Sequence, residues 1–202
     1  MTTIDGPSAV ARPLSLFVVC TGNICRSAFA HHYLAQHLEA AHPSVFRVAS
    51  GGLGWFLGLS VPRDLIEAAP ELAARLESHV PGMVRLEDVR SADLVLTATA
   101  DHRTAILSEV PAAFKRTFMI DEFARIVRSR RLRPGLGADA WRSAIAEAAR
   151  HRGFVEARDV PDPYRRGRAA YDDMLDRLVP ALRTIVEAAG REDDEVPVES
   201  PG

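Results

Sequence analysis

The stretch LSLFVVCTGNICRSAFA at residues 14–30 is the feature that most restricts how this 202-residue chain can fold. An apolar run of strand length, rich in β-branched residues, leads directly into a turn that contains Gly22 and Asn23. A helical pattern follows at once, because Phe29 and Leu34 can share one face of a helix. A strand that passes into a helix through so short a turn predicts a βα unit, and therefore a sheet with a helix packed on its face.

The rest of the chain repeats this alternation of strand and helix. Further helices are predicted for residues 63–76, from Asp101 as a helix N-cap, and in two parts over 121–158, broken by RPGLG at 133–137. The predicted strands are residues 14–19, 45–50, 92–100 and 116–120. Alternation of this kind is typical of a three-layer α/β fold, with a four-stranded parallel sheet covered by helices on both faces. We expect the strand order 2-1-3-4.

The chain is long enough for one domain, which we place at residues 14–188, with a helical insertion at about 126–152. Its last helix should bend near Pro180, and residues 1–13 and 189–202 are predicted to be disordered. A net charge of −2 argues against a nucleic-acid partner, and no apolar run approaches the roughly 20 residues of a membrane helix. With two cysteines and no recognisable signal peptide, we expect a cytoplasmic protein. The sequence leaves the oligomeric state unknown.

The turn after the first strand, residues 20–27 (the Cys-Arg loop), reads CTGNICRS. Backbone N–H groups in such a turn and the start of the following helix together favour an anion of phosphate size. Arg26 adds a planar guanidinium that can bind two phosphate oxygens, and the same positive field favours the thiolate of Cys20. Ser27 can donate a hydrogen bond to that sulfur. The pattern predicts a phosphate-binding loop with a nucleophilic cysteine, rather than a cysteine that only packs at a strand end.

With these residues, the sequence resembles the low-molecular-weight protein tyrosine phosphatase family, whose hallmark is Cys-x5-Arg-Ser after the first strand. The resemblance covers roughly residues 14–125 and 159–188. It extends to Asp162-Pro163-Tyr164, which matches an Asp-Pro-Tyr signature of the family but on its own would more often mark a turn. The resemblance implies a phosphate-binding loop of these residues: Thr21, Gly22, Asn23, Ile24, Cys25, Arg26 and Ser27.

The resemblance also implies a reaction and its residues. Cys20 would attack phosphorus, Arg26 would hold the phosphate, and Asp162 would first protonate the leaving aryl oxide and then activate water. The substrate would be a phosphotyrosine-containing protein, and no metal or organic cofactor is needed. Two alternatives remain open: an arsenate reductase that uses an external small thiol, and a non-catalytic phosphotyrosine-binding module.

Several residues have two interpretations. Trp55 and Tyr164 are candidate walls of a phosphotyrosine slot, although Trp55 could equally belong to the core. His79 either supports Asn23 of the Cys-Arg loop or is an ordinary surface residue. A metal site formed by His31, His32 and His37 is rejected, because neighbouring helix positions are expected to point to different faces.

Cys25 lies in the same loop as Cys20 and either packs beneath it or protects it. An exposed, reactive thiolate is readily oxidised to a sulfenic acid, which a nearby thiol can capture as a reversible disulfide. The sequence therefore predicts a redox-sensitive enzyme.

Overall fold

A computed structural model describes residues 12–54, 58–132, 134 and 137–190. Four strands form one parallel sheet, in the order β2-β1-β3-β4. The strands are β1 Leu14–Cys20, β2 Phe46–Gly52, β3 Leu94–Thr97 and β4 Thr117–Met119. The α-helices are α1 Arg26–Ala41, α2 Arg63–Ala68, α3 Ala73–Glu77, α4 Leu86–Ser91, α5 Ala100–Glu109, α6 Ile120–Arg130, α7 Ala138–Arg150 and α8 Arg168–Ala189. The predicted fold class and strand order are confirmed.

Strand β1 lies at the centre of the sheet and is buried on both faces. Leu16 and Val18 pack into the larger core, which also holds the apolar faces of α1, α6, α7 and α8. Phe17 and Val19 point the other way, into a smaller core beneath α4 and α5. This double burial explains why β1 is a continuous apolar run instead of an alternating one.

The register of the sheet brings three chain segments together at one edge. Cys20, the last residue of β1, pairs with Gly52 at the end of β2, and Val19 pairs with Thr97 at the end of β3. Parallel strands end on the same side of a sheet, so the loops that follow β1, β2 and β3 lie next to one another. The Cys-Arg loop therefore lies at the centre of this edge.

Three local predictions were wrong in detail. The helix expected over 63–76 is interrupted, because Pro70 has no N–H to continue it, and a 3-10 turn at Pro70–Leu72 separates α2 from α3. The N-cap of α5 is Thr99, whose hydroxyl accepts a hydrogen bond from the His102 N–H, and not Asp101. Strand β3 is shorter than predicted.

The segment predicted as an insertion contains the end of α6 and all of α7. Pro180 lies inside α8, and the helix continues on both sides of it from Arg168 to Ala189. Of the ends expected to be disordered, residues 1–11 and 191–202 lie outside the described residues, whereas Arg12 contacts Asp93 and Ala189 is the buried last residue of α8. No helix in the described part of the chain combines the length and apolar character needed to span a bilayer.

Candidate active site

The nucleophile candidate, Cys20, is buried at the end of β1, where a network of hydrogen bonds begins. Its Sγ lies 2.9 Å from Oγ of Ser27. The side-chain nitrogen of Asn23, Nδ2, donates to that same oxygen over 2.9 Å. Ser27 accepts from Asn23 and still has its own proton to donate, and a hydrogen bond from this hydroxyl to a deprotonated Cys20 sulfur would stabilise the thiolate.

Asn23 makes several of the hydrogen bonds that hold the Cys-Arg loop in place. Its φ of 54° lies in the left-handed region, which asparagine tolerates better than most residues. Its side chain donates to Ser27 and to Ser50 Oγ, and its Oδ1 accepts from the Gly82 N–H. His79 donates from Nε2 to the Asn23 carbonyl over 2.9 Å, so the supporting role predicted as one reading of His79 is confirmed.

Arg26 lies at the other end of the loop, in the first turn of α1. Its side chain is 5% exposed and forms an ion pair with Asp162, with 3.0 Å between Nη2 and Oδ2. Its Nη2 also donates to the Thr21 hydroxyl, and its buried Nε has no partner among residues 12–54, 58–132, 134 and 137–190. A guanidinium held this way has a donor left over for an anion at the loop.

Asp162 comes from a distant loop, between α7 and α8. Its side chain is 44% exposed, so it lies at the rim of the site while Arg26 lies inside. The Tyr164 N–H donates to Asp162 Oδ1, which fixes the orientation of the carboxylate. Tyr164 itself is half-buried, and the Arg165 guanidinium lies 5.2 Å from its ring centre.

His102 is a buried site residue that sequence reasoning missed. Its Nε2 lies 2.8 Å from the Thr21 hydroxyl and its Nδ1 lies 2.8 Å from the Thr99 hydroxyl. Burial, followed by the charge of Arg26, lowers the pKa of His102 to about 4, so the ring is neutral at pH 7. It follows β3, and the adjacency of β3 to β1 was the available signal.

Cys25 is a buried, free thiol of a different kind from Cys20. Burial, followed by the charges of Cys20 and Asp162, raises the pKa of Cys25 to about 12. Its neighbour is the hydroxyl of Tyr171 on α8, whose pKa is also raised by burial. Cys25 is therefore a protonated thiol packed beneath the loop at neutral pH.

The histidines of α1 do not lie as the sequence suggested. His31 and His32 were expected on different faces, but their rings stack with centres 4.6 Å apart, and His79 joins them. His37 packs on Tyr33 instead. The other wall candidate, Trp55, lies outside the described residues.

Comparison with known proteins places this arrangement in a family. The model of the family "Low molecular weight phosphotyrosine protein phosphatase" matches residues 15–133. A relative from Salmonella typhi, the low molecular weight protein-tyrosine-phosphatase Wzb, is 26% identical over 177 residues, which is 88% of this chain and 95% of that protein.

Two solved structures have the same fold. The low molecular weight protein tyrosine phosphatase from T. tengcongensis is 23% identical with a TM-score of 0.64, over 86% of this chain and 98% of that one. The YwlE arginine phosphatase from Geobacillus stearothermophilus is 22% identical with a TM-score of 0.63, over 87% and 92%.

Proposed function

Because the chain belongs to the low-molecular-weight phosphotyrosine protein phosphatase family, we propose that it hydrolyses phosphotyrosine in proteins through a phosphocysteine formed on Cys20. The observation that carries the proposal is the Cys20 sulfur, 2.9 Å from the Ser27 hydroxyl, in a loop that also holds a buried Arg26 whose Nε is bonded by no described residue. A sulfur nucleophile beside a fixed guanidinium suits attack on a phosphate ester.

The first step transfers the phosphoryl group to sulfur. The Cys20 thiolate attacks phosphorus, an S–P bond forms, and the P–O bond to the tyrosine ring breaks. Arg26 binds the phosphate oxygens, replacing its ion pair with Asp162. Asp162, released from the ion pair, takes up a proton from solvent and, as a carboxylic acid, gives it to the departing phenolate oxygen, which leaves as tyrosine.

The second step returns the enzyme to its starting state. Asp162, now a carboxylate, takes a proton from water, and the water oxygen attacks phosphorus. The S–P bond breaks, the electron pair returns to sulfur, and the hydrogen bond from Ser27 stabilises the thiolate that leaves. Inorganic phosphate is released, and the residues of this chain carry both steps without a redox change.

For phosphotyrosine specificity, we propose that Tyr164, two residues after Asp162, forms a wall of the substrate slot. Its ring is half-buried against the core, and the exposed Arg165 guanidinium, 5.2 Å from the ring centre, would move aside for the phenyl ring of a substrate to stack there. The rest of the Cys-Arg loop would surround the phosphate. The family and its relatives, which are named phosphatases, favour hydrolysis over arsenate reduction or simple binding.

The test is a series of aryl phosphates with leaving groups of different acidity. Cys20→Ser should abolish turnover. Asp162→Asn should lower kcat by about 10²–10⁴ for phenyl phosphate and by much less for 4-nitrophenyl phosphate, whose phenolate leaves without a proton. Asp159→Asn, an exposed carboxylate of the same loop that accepts from the Ala100 N–H, is the matched control.

Three outcomes of these measurements would contradict the proposal. Equal losses for both leaving groups in Asp162→Asn would remove Asp162 from its role as acid. Faster release of phosphate from phosphoarginine than from phosphotyrosine peptides would identify an arginine phosphatase instead. Arsenate reduction with a small thiol, without aryl phosphate turnover, would identify a reductase.

A further inference from the structure

Three histidines come together next to the Cys-Arg loop, where one of them contacts the Asn23 carbonyl. His31 and His32 lie on α1, and His79 lies in the loop after α3. One ring nitrogen from each histidine lies within 4.8 Å of those of the other two. The shortest of these separations, 3.0 Å, joins Nε2 of His32 to Nδ1 of His79.

The protonation of His79 is fixed by its second contact. Its Nε2 faces the Asn23 carbonyl at 2.9 Å, and a carbonyl can only accept, so Nε2 carries the proton. Nδ1 therefore presents a lone pair toward His32. A metal-binding histidine commonly donates its other ring N–H to a backbone carbonyl in this way, which orients the ring and strengthens its lone pair.

His31 is oriented by a comparable contact. Its Nδ1 lies 3.1 Å from the Ser50 hydroxyl, which also accepts from the Asn23 side chain. This contact uses only Nδ1, so the other ring nitrogen of His31, Nε2, can serve as a metal ligand. The rings of His79 and His31 are thus oriented by hydrogen bonds to Asn23 of the Cys-Arg loop and to Ser50, which itself bonds Asn23.

We propose that His31, His32 and His79 form a binding site for one divalent transition-metal ion of the Zn²⁺ class, with a further position open to solvent. Zn–N bonds are about 2.0–2.1 Å long, so small side-chain rotations bring three nitrogens within 4.8 Å of one another onto one ion. All three rings are half-buried, so an ion can reach them from solvent. The ligand set is imidazole alone, which selects Zn²⁺, Ni²⁺ or Cu²⁺ over Mg²⁺ and Ca²⁺.

One nearby charge opposes the ion. Arg75 acts on both His31 and His32, and its exposed side chain donates to Gln36. Its positive charge weakens cation binding. Replacing Arg75 with glutamine should therefore tighten binding of the metal, a change that a purely structural role for the histidines does not produce.

The bound ion would be coupled to the catalytic loop through Asn23. His79 contacts the Asn23 carbonyl, and His31 contacts Ser50, which is bonded to the Asn23 side chain. A metal that holds both rings restrains the residue that supports Ser27. A bound metal ion would therefore stabilise the folded conformation of the Cys-Arg loop.

The test is Zn²⁺ titration of the full, untagged chain carrying Cys20→Ser, which removes the reactive thiol as a competing ligand. Competition with a chromophoric chelator should give one ion per chain. His32→Ala should weaken binding at least tenfold, whereas His37→Ala, on the same helix but outside the cluster, should leave it unchanged. With Zn²⁺ at a hundred times its Kd, Tm should rise by about 5–10 °C in the parent and much less in His32→Ala.

Co²⁺ gives an independent readout, because its visible absorption reports nitrogen ligation in a four-coordinate site. The proposal is overturned if no stoichiometric binding is found, or if Zn²⁺ affinity is the same in His32→Ala and the parent. An affinity that Arg75→Gln leaves unchanged also contradicts it, since the ion would then lie away from the cluster.

Discussion

Cys25 is a protonated, weakly nucleophilic thiol at neutral pH. Its pKa is raised to about 12, with burial as the first cause and the charges of Cys20 and Asp162 after it. A sulfenic acid on Cys20 would lack the thiolate charge, but burial would remain. Burial alone still holds the pKa of Cys25 above its usual value, so few Cys25 side chains would be thiolates at pH 7 and capture of oxidised Cys20 should be slow there.

We therefore expect the rate of Cys20–Cys25 disulfide formation after a peroxide pulse to increase with pH. Because the pKa lies far above neutrality, the thiolate fraction grows about tenfold for each pH unit between pH 6.5 and 8.5. Mass spectrometry of quenched samples would follow the loss of two hydrogens. Cys25→Ser should instead accumulate sulfinic acid on Cys20. A rate that does not depend on pH would contradict the conclusion that burial keeps the Cys25 thiol protonated near neutral pH, and equal sulfinic acid formation in the parent and in Cys25→Ser would contradict its protective role.

Arg165 and Arg166 flank the proposed tyrosine slot and are both exposed. Arg165 adopts a left-handed φ of 59°, and its guanidinium lies over the Tyr164 ring. Acidic residues next to a phosphotyrosine would meet these charges, with a gain of up to about 1 kcal/mol for each exposed pair.

Phosphopeptides with flanking Glu should thus have kcat/KM values several times those of Gln-flanked peptides at low salt, and the ratio should fall as salt rises. Arg165→Gln with Arg166→Gln should remove the preference. Arg168→Gln, an exposed arginine at the start of α8, is the matched control. Equal kcat/KM values for the two peptides at low salt would mean that the arginines face only water.

At the scale of elements, the end of β2 supports the Cys-Arg loop through a glycine. A Cβ on Gly52 would lie 2.8 Å from the Thr21 carbonyl oxygen and 2.9 Å from the Gly22 carbonyl carbon. These are backbone atoms of the loop, so they cannot move without displacing it. The sheet register brings Gly52 there, since it pairs with Cys20.

Gly52→Ala should lower kcat/KM by at least tenfold while costing about 1–3 kcal/mol of stability, because overpacking shifts the loop without unfolding the sheet. Aryl phosphate kinetics and urea unfolding would be measured together. Gly137→Ala is the control, since a Cβ there meets no atom of another described residue within 4 Å. Unaltered kinetics in Gly52→Ala would show that the loop tolerates displacement.

Helix α7 is attached to the core through Trp141. The ring is 1% exposed and meets Phe46 of β2 edge-on, with ring centres 5.4 Å apart. Its buried indole N–H has no hydrogen-bond partner in the part of the chain that the structure describes. Burial therefore stabilises α7 against the sheet, while the unpaired N–H reduces that gain.

Trp141→Ala should lower the free energy of unfolding by about 3–5 kcal/mol. Trp141→Phe should cost clearly less, because it keeps an aromatic ring and removes the unpaired donor. Denaturant unfolding measures both, with Ser143→Ala on the exposed side of α7 as the control. A cost below about 1 kcal/mol for Trp141→Ala would mean that α7 contributes little to the fold.

The sequence predicts a feature well when the residues that form it lie close together along the chain. The Cys-Arg loop was predictable because Cys20, Arg26 and Ser27 are local and their spacing carries the chemistry. The break at Pro70 was also local and was missed, since the periodicity of its neighbours masked it. The contact of His79 with His32 and the position of His102 depend on how separate elements pack, which spacing alone does not determine.

For the whole molecule, we infer that residues 14–188 form a single domain. One continuous core joins β1, α1, α6, α7 and α8, so segments from both ends of the chain share it. Helix α7, within the predicted insertion, packs into that core instead of standing apart. Polar contacts reinforce the arrangement at the opposite end of β1 from the Cys-Arg loop, where Asp93 is the common partner.

Asp93 links three distant parts of the molecule. Its carboxylate accepts from the Ser15 N–H of β1 and from the guanidinium groups of Arg12 and Arg142, the last on α7. Burial by itself would raise the pKa of Asp93, but these three donors outweigh burial and hold the pKa below its usual value. The unfolded chain has no such donors, so the carboxylate form favours the folded state.

This stabilisation should be fully present above pH 4, near the unfolded pKa, and should be lost as pH falls through the lower folded pKa. Asp93→Asn should therefore cost about 1–3 kcal/mol at pH 7, and the difference from the parent should shrink toward pH 3. Denaturant unfolding at several pH values measures it. Asp139→Asn is the matched control, because Asp139 also binds Arg142 but is 87% exposed, so its effect should be small at every pH. A cost for Asp93→Asn that stays constant from pH 7 to pH 3 would mean that its charge does not hold α7, β1 and the N-terminal segment together.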